Sequence, residues 1–157
     1  MSDGTGPTLT SPGTATQDAA PGGAGLSLLL KHADHAIRLR LQPLLDEVDL
    51  SLEHWRIMAV LLVRPGLRMS AIADAAVVPA ATLTRLMDKL VERGIVARHI
   101  DPADKRRVVA ALSPRGEALA IRLRGEERAI EATFVEALGG ERFATLVSEL
   151  SLLPHLA

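Results

Sequence analysis

Thr82-Leu83-Thr84-Arg85-Leu86-Met87-Asp88-Lys89-Leu90-Val91-Glu92-Arg93-Gly94-Ile95-Val96 is the stretch that decides the fold of this 157-residue chain. Leucine or methionine at 83, 86, 87 and 90 recurs at intervals of three and four. One helix face is therefore apolar, and Ala81, Thr82, Thr84, Arg85, Asp88 and Lys89 fall on or near the other. Pro79 opens this helix and Gly94 closes it as a left-handed cap. The period then changes. Ile95 to Ile100 and Arg107 to Leu112 are short apolar or β-branched runs, and the turn formers Asp101-Pro102-Ala103-Asp104-Lys105 between them predict a β-hairpin. Its tip collects Lys105, Arg106 and Arg107. From Pro79 to Arg107 seven basic residues stand against four acidic ones, whereas the whole chain carries 18 Lys and Arg against 19 Asp and Glu. Positive charge is concentrated in one segment.

Upstream, Ser70 reads as the cap of a short helix, Ala71 to Ala76, joined to the helix above through Val77-Val78-Pro79. Before it, Ser51 is an N-cap for a helix burying Leu52, Trp55, Ile57, Met58, Leu61 and Leu62, which Arg64-Pro65-Gly66 stops. Leu26, Leu30, Ala33, Ile37, Leu41 and Leu44 mark a first helix, with Pro43 expected to kink or weaken its end. Downstream, Ser113-Pro114 pairs an N-cap with proline at the first helical position and opens a long helix toward Leu138. Gly139-Gly140 ends it. A last helix, Glu141 to Leu153, carries Phe143, Leu146, Val147 and Leu150 on one face. Residues 1–25 draw 20 of their 25 members from Gly, Pro, Thr, Ser and Ala and read as a disordered tail.

The expected fold is mainly α with a small two-stranded β wing. A short helix, a turn, a second helix with a basic outer face and a basic-tipped hairpin make a winged helix-turn-helix. It forms a single domain over 26–157, with a DNA-binding lobe at about 51–112 and dimerisation helices at about 26–46 and 114–153. A helix fits the major groove, where base edges are distinguishable, and a hairpin can place an arginine in the adjacent minor groove. Arg85 is the best candidate for direct base contact.

Other classes find little support. The chain has no cysteine, which removes thiol catalysis, cysteine-based zinc and iron-sulfur sites and fits a reducing cytoplasm. Its three aromatics, Trp55, Phe134 and Phe143, are too few for base-stacking platforms. There is no phosphate loop, no Ser-His-Asp spacing and no paired carboxylates in an apolar pocket, so neither an enzyme nor a cofactor is expected. No apolar stretch approaches the roughly 20 residues of a membrane span, and the N-terminus does not read as a secretory signal. The histidines are His32, His35, His54, His99 and His155. Glu53-His54 resembles part of a zinc site, but no histidine lies between Pro114 and Leu138 to complete it, so no metal site is expected. A winged-helix protein-protein module and a metal-responsive regulator of the same fold are the alternatives.

The residues 82–96 quoted above, Asp101-Pro102-Ala103-Asp104-Lys105-Arg106-Arg107 and Leu112-Ser113-Pro114-Arg115-Gly116 follow one another in an order that resembles the MarR family of bacterial transcriptional regulators. The resemblance spans about residues 26–153. It implies a homodimer in which the first and last two helices interlock, a double-stranded, pseudo-palindromic operator, and repression released by a small aromatic or anionic effector. It also implies a wing arginine in the minor groove, matched by Arg106, with Asp104 as the acidic member of an Asp-x-Arg pattern. Asp104 is expected either to pair with Arg106 on the surface or to orient it toward DNA. The DNA-binding candidates are thus Ala81, Thr82, Thr84, Arg85, Lys89, Asp104, Lys105, Arg106 and Arg107. His32, His35, Trp55 and Arg115 are effector candidates at the junction of the first, second and fifth helices. Val77-Val78-Pro79 departs from the family's turn glycine and Ser or Thr cap, and Ala81 offers no hydrogen bond to a base.

Overall fold

The computed structural model describes residues 25–156, so the expected disordered tail lies outside the described residues apart from Gly25. In chain order the elements are α1 (Leu26–Glu47), α2 (Leu52–Val63), β1 (Leu67–Arg68), α3 (Met69–Ala76), α4 (Ala80–Glu92), β2 (Val96–Ile100), β3 (Val108–Leu112), α5 (Pro114–Leu138), α6 (Gly140–Leu152) and a 3-10 turn, Leu153–His155. Contacts divide the chain into two units, Met1–Ala33 and Asp34–Ala157. The described part of the first is Gly25 and the opening turns of α1, where Leu26, Leu28, Leu29 and Leu30 are exposed.

In the second unit the apolar faces read from the sequence converge. Trp55, Ile57, Met58 and Leu61 of α2 share a core with Leu41 and Leu45 of α1, Ile72 of α3, Leu83, Met87 and Leu90 of α4, and Ala120, Leu123 and Ile130 of α5. Burying such a leucine, isoleucine or methionine contributes roughly 1.5–3 kcal/mol, so this shared core fixes how α4 is presented. α1 runs through Pro43 and ends at Glu47.

The sheet has three antiparallel strands in the order β1-β3-β2 rather than the expected two. Leu67 opposes Ala110 and Arg68 opposes Val109. This pairing also corrects the start of α3. The helix begins at Met69 with Arg68 as its N-cap and no side-chain cap, so Ser70 lies inside it. β1 holds the backbone extended up to Arg68, and the helix starts as soon as the ladder releases it.

The long helix is fastened to the wing at its first turn. The Ser113 N–H donates to the Ile95 carbonyl at 2.9 Å, and the Ser113 hydroxyl donates to the Gly94 carbonyl at 2.6 Å. Ser113 also caps α5, its hydroxyl accepting from the Gly116 N–H at 3.0 Å. A Cβ at position 116 would lie 2.0 Å from the Ile95 carbonyl oxygen, so only glycine permits this approach.

Ser51 caps α2 as expected, with an unanticipated partner. The Ser51 hydroxyl accepts from the His54 N–H, and the Ser51 N–H donates to His54 Nδ1 at 3.0 Å, completing a reciprocal capping box. An Nδ1 that accepts leaves the proton on Nε2, which is buried without a partner among the described residues. The ring is only 5% exposed. Burial, then the positive charge of Lys89, lowers the His54 pKa, with Glu53 opposing and Arg85 adding to the fall. The unfolded chain therefore binds more protons than the folded one below the ordinary histidine value of about 6.5. Stability from this group is complete above that pH and is lost as the pH falls toward the depressed folded value. His54→Gln keeps an acceptor for the Ser51 N–H without a titrating group. Thermal melts at a series of pH values are expected to show a smaller loss on acidification for His54→Gln than for wild type; parallel curves would contradict this account.

Candidate nucleic-acid interface

α4 buries Leu83, Leu86, Met87 and Leu90. Ala81, Thr84, Arg85 and Asp88 are exposed on its outer face, with Thr82 and Lys89 half-buried at the edges. The Thr84 hydroxyl donates back to the Ala80 carbonyl at 3.2 Å, so toward solvent it presents lone pairs rather than a proton. Arg85 has no acidic partner within salt-bridge distance among the described residues. Lys89 does: its ammonium lies 3.1 Å from the Asp49 carboxylate, which also pairs with Arg93. Arg93 donates in addition to the Val48 carbonyl at 3.1 Å. Asp88 pairs with Arg98 of β2 at 2.8 Å, tying the outer face of α4 to the hairpin.

The hairpin tip is ordered by its two aspartates. Asp101 accepts from the Ala103 N–H at 2.9 Å through its carboxylate, and its own N–H donates to the Arg107 carbonyl at 2.8 Å. Asp104 accepts from the Arg106 N–H at 3.1 Å, while its other oxygen pairs with the Arg107 side chain at 2.8 Å. The expected side-chain pair between Asp104 and Arg106 is replaced by a pair with Arg107. A two-residue turn brings the carboxylate onto the Arg106 amide, and the side chain three residues along folds back over it. Asp104 thus sets the backbone of Arg106 and leaves its guanidinium free. Lys105 and Arg106 are exposed without an acidic partner among the described residues.

A cleft of about 690 Å³ runs beside α4, lined by Asp49, Arg85, Asp88, Lys89, Glu92, Arg93 and Arg115. It contains one of the four effector candidates, Arg115, on the first turn of α5. Trp55 is buried and lines a separate depression of about 470 Å³ with Arg56, Ala59, Ala75, Ala76, Val77 and Glu127. Arg56 there pairs with Asp34 of α1. His35 is exposed on α1, and His32 is exposed in the first unit. Within one chain Trp55 and Arg115 therefore do not share a site. Sequence reasoning missed Asp49 and Arg56; the latter stood next to Trp55, and its signal was a cation beside the only tryptophan. Among the described residues no group of three His, Cys, Asp or Glu side chains could hold a metal ion. No described helix is long and apolar enough to cross a membrane.

A helix-turn-helix followed by a hairpin, with free arginines on the second helix and at the hairpin tip, defines a DNA-binding winged-helix fold. A model of the MarR family matches residues 48–107. The chain is 32% identical over 93 residues to the transcriptional regulator HosA of Escherichia coli O111:H-, covering 59% of this chain and 69% of that protein. It is 27% identical over 133 residues to the HTH-type transcriptional regulator FarR of Neisseria gonorrhoeae, covering 85% and 91%. Among solved structures it is similar to NadR in complex with 4-hydroxyphenylacetate, with a TM-score of 0.75 and 26% identity over 87% of this chain and 97% of that one. The chain belongs to the MarR family of transcriptional regulators.

The turn that presents α4 carries a local strain. Val77 caps the C-terminus of α3 at φ 54°, a left-handed conformation that disfavours β-branched residues. Its side chain is 88% exposed and buries little in return. Left-handed backbone costs an L-residue roughly 1–2 kcal/mol, and glycine relieves this at some entropic cost. Val77→Gly is expected to stabilise the fold by about 1 kcal/mol, raising the melting temperature by about 2–4 °C. A lower melting temperature would show that the valine is not strained.

Proposed function

We propose that two copies of the chain assemble through α1, α5 and α6 and bind a pseudo-palindromic duplex operator, acting as a cytoplasmic repressor that a small aromatic anion releases. α4 of each copy enters the major groove with Ala81, Thr82, Thr84, Arg85 and Lys89 on the approaching face. The hairpin places Arg106 in the minor groove, Asp104 holds the turn, and Lys105 and Arg107 lie by the phosphates. The observation that carries this reading is that Arg85, Lys105 and Arg106 are exposed on these two elements without acidic partners among the described residues, while the neighbouring Lys89, Arg93 and Arg98 are paired. The 51–112 segment then serves as the DNA lobe and the 26–46 and 114–153 segments as dimerisation helices. Support for the second copy comes from α6, which has no buried residue among the described residues and exposes Leu146, Val147 and Leu150 on one face. A contiguous apolar surface of this kind marks an interaction site.

For the effector, the depression beside Trp55 is favoured over the Arg115 cleft. A carboxylate entering it competes with Asp34 for Arg56, and so acts on a contact between α1 and α2. The similarity to NadR, solved with an aromatic acid, supports this ligand class. The ligand shifts DNA affinity only by its differential binding to two states, and a coupling of 1–3 kcal/mol gives about 5- to 150-fold.

Three outcomes are expected. Arg85→Ala loses about 1–3 kcal/mol of discrimination between the operator and a mismatched duplex, whereas Arg106→Ala weakens every duplex nearly uniformly. Mobility shifts on matched and random duplexes measure both, and equal losses on the two duplexes for Arg85→Ala would remove it from base reading. Light scattering at micromolar concentration gives a dimer mass; a monomer would remove the proposed helix interface. Titrating 4-hydroxyphenylacetate into the complex releases DNA from wild type but not from Arg56→Ala, and release from both alike would exclude the Trp55 depression.

A further inference from the structure

We infer that Asp49 is an internal competitor for DNA phosphates: it holds Lys89 and Arg93 partly neutralised, so that duplex binding relies on Arg85 and the wing rather than on bulk positive charge. The inference rests on the DNA-binding reading above. The corner between α1 and α2 supplies the geometry. Asp49 sits there at φ 51°, a left-handed conformation that a short polar side chain tolerates. Its N–H donates to the Asp46 carbonyl at 3.0 Å, and the next N–H, of Leu50, donates to Leu45 at 2.9 Å. The backbone, not a flexible side chain, therefore carries the carboxylate to the edge of α4. Lys89 meets it at 3.1 Å. Arg93 grips the same corner twice, through Asp49 and through the Val48 carbonyl.

This arrangement does little for stability. The Asp49 side chain is 64% exposed, and ion pairs in solvent contribute little. The Lys89 hydrogen bond and charge, with the charge of Arg93, lower the Asp49 pKa, so the carboxylate stays ionised. Four cations, Arg85, Lys89, Arg93 and Arg115, line the cleft beside α4. Two of them are held by Asp49, while Arg85 and Arg115 have no acidic partner among the described residues. Asp88 also lines the cleft, but its partner is Arg98. Glu92 makes no salt bridge to Lys89 or Arg93.

A phosphate oxygen asks for the same two donors as the Asp49 carboxylate. To reach Lys89 and Arg93, DNA has to displace that carboxylate, and the trio presents one net positive charge instead of two. Sequence-independent binding grows with every phosphate neutralised. Quenching these two cations lowers it while leaving the base-directed Arg85 untouched. A carboxylate that instead positioned Lys89 for DNA would have the opposite effect when removed, so the two roles separate by sign.

The test uses the full chain and a random-sequence duplex over a series of salt concentrations. Asp49→Asn removes the charge and suits the left-handed corner. It is expected to bind the duplex about 3- to 10-fold more tightly at low salt and to steepen the logarithmic salt slope by about one, the increment for one further phosphate. Asp49→Gly, which also accommodates the corner, must give the same result. In a Lys89→Gln, Arg93→Gln background, Asp49→Asn frees no cation and should leave the salt slope unchanged. Unchanged slope or weaker binding in both single variants, or a steepened slope that persists in the doubly substituted background, would overturn the inference while wild-type binding leaves the DNA reading intact. A wild type that binds no duplex would overturn that reading and this inference with it.

Discussion

The Ile95 carbonyl oxygen is where three parts of the molecule are joined. It accepts the Ser113 N–H, and Gly116 passes over it so closely that a single added carbon would lie 2.0 Å away. Ile95 follows the left-handed Gly94 at the end of α4 and leads into β2, while Ser113 ends β3 and caps α5. One short backbone contact thus fixes the C-terminal end of α4, the base of the wing and the first turn of the long helix together. The core shared by α2, α4 and α5 holds the other side of the same joint. In the proposed assembly, a change in the setting of α5 is passed to α4 and the wing through this contact, with no flexible linker between them.

Electrostatics then sorts the basic residues that this scaffold presents. Lys89 and Arg93 are answered by Asp49, Arg98 by Asp88 and Arg107 by Asp104. Arg85, Lys105 and Arg106 are not answered among the described residues. Exposed ion pairs of this kind contribute little to stability, and their effect lies in which cations stay available to a polyanion. On the proposed reading, the near-neutral chain keeps a few cations on α4 and the wing for DNA without becoming a general binder of negative charge.

Much of this was legible in the sequence because it is periodic or local. The spacing of Leu83, Leu86, Met87 and Leu90 gives the buried face of α4, and the turn formers at 101–105 give the hairpin. Ser113, Pro114 and Gly116 mark the start of α5. β1 was not legible, since two residues cannot show an alternation, and its pairing with β3 is what displaced the expected cap at Ser70. Asp49 was missed because its significance depends on its approach to residues 89 and 93, which lie forty or more positions further along the chain. Trp55 and Arg115 line different clefts within one chain for a related reason. Both lie near helix N-termini, but Arg115 faces the α4 side and Trp55 the side of α3, a distinction set by packing rather than spacing.

A symmetric pair of these chains is proposed to read duplex DNA through α4 in the major groove. Guanine N7 methylation protection on a bound operator tests it most directly, because N7 lies on the major-groove edge of the base. Two protected patches are expected, related by a two-fold axis and separated by about one helical turn, roughly 10 base pairs. A single protected patch, or binding that leaves every N7 reactive, would contradict it.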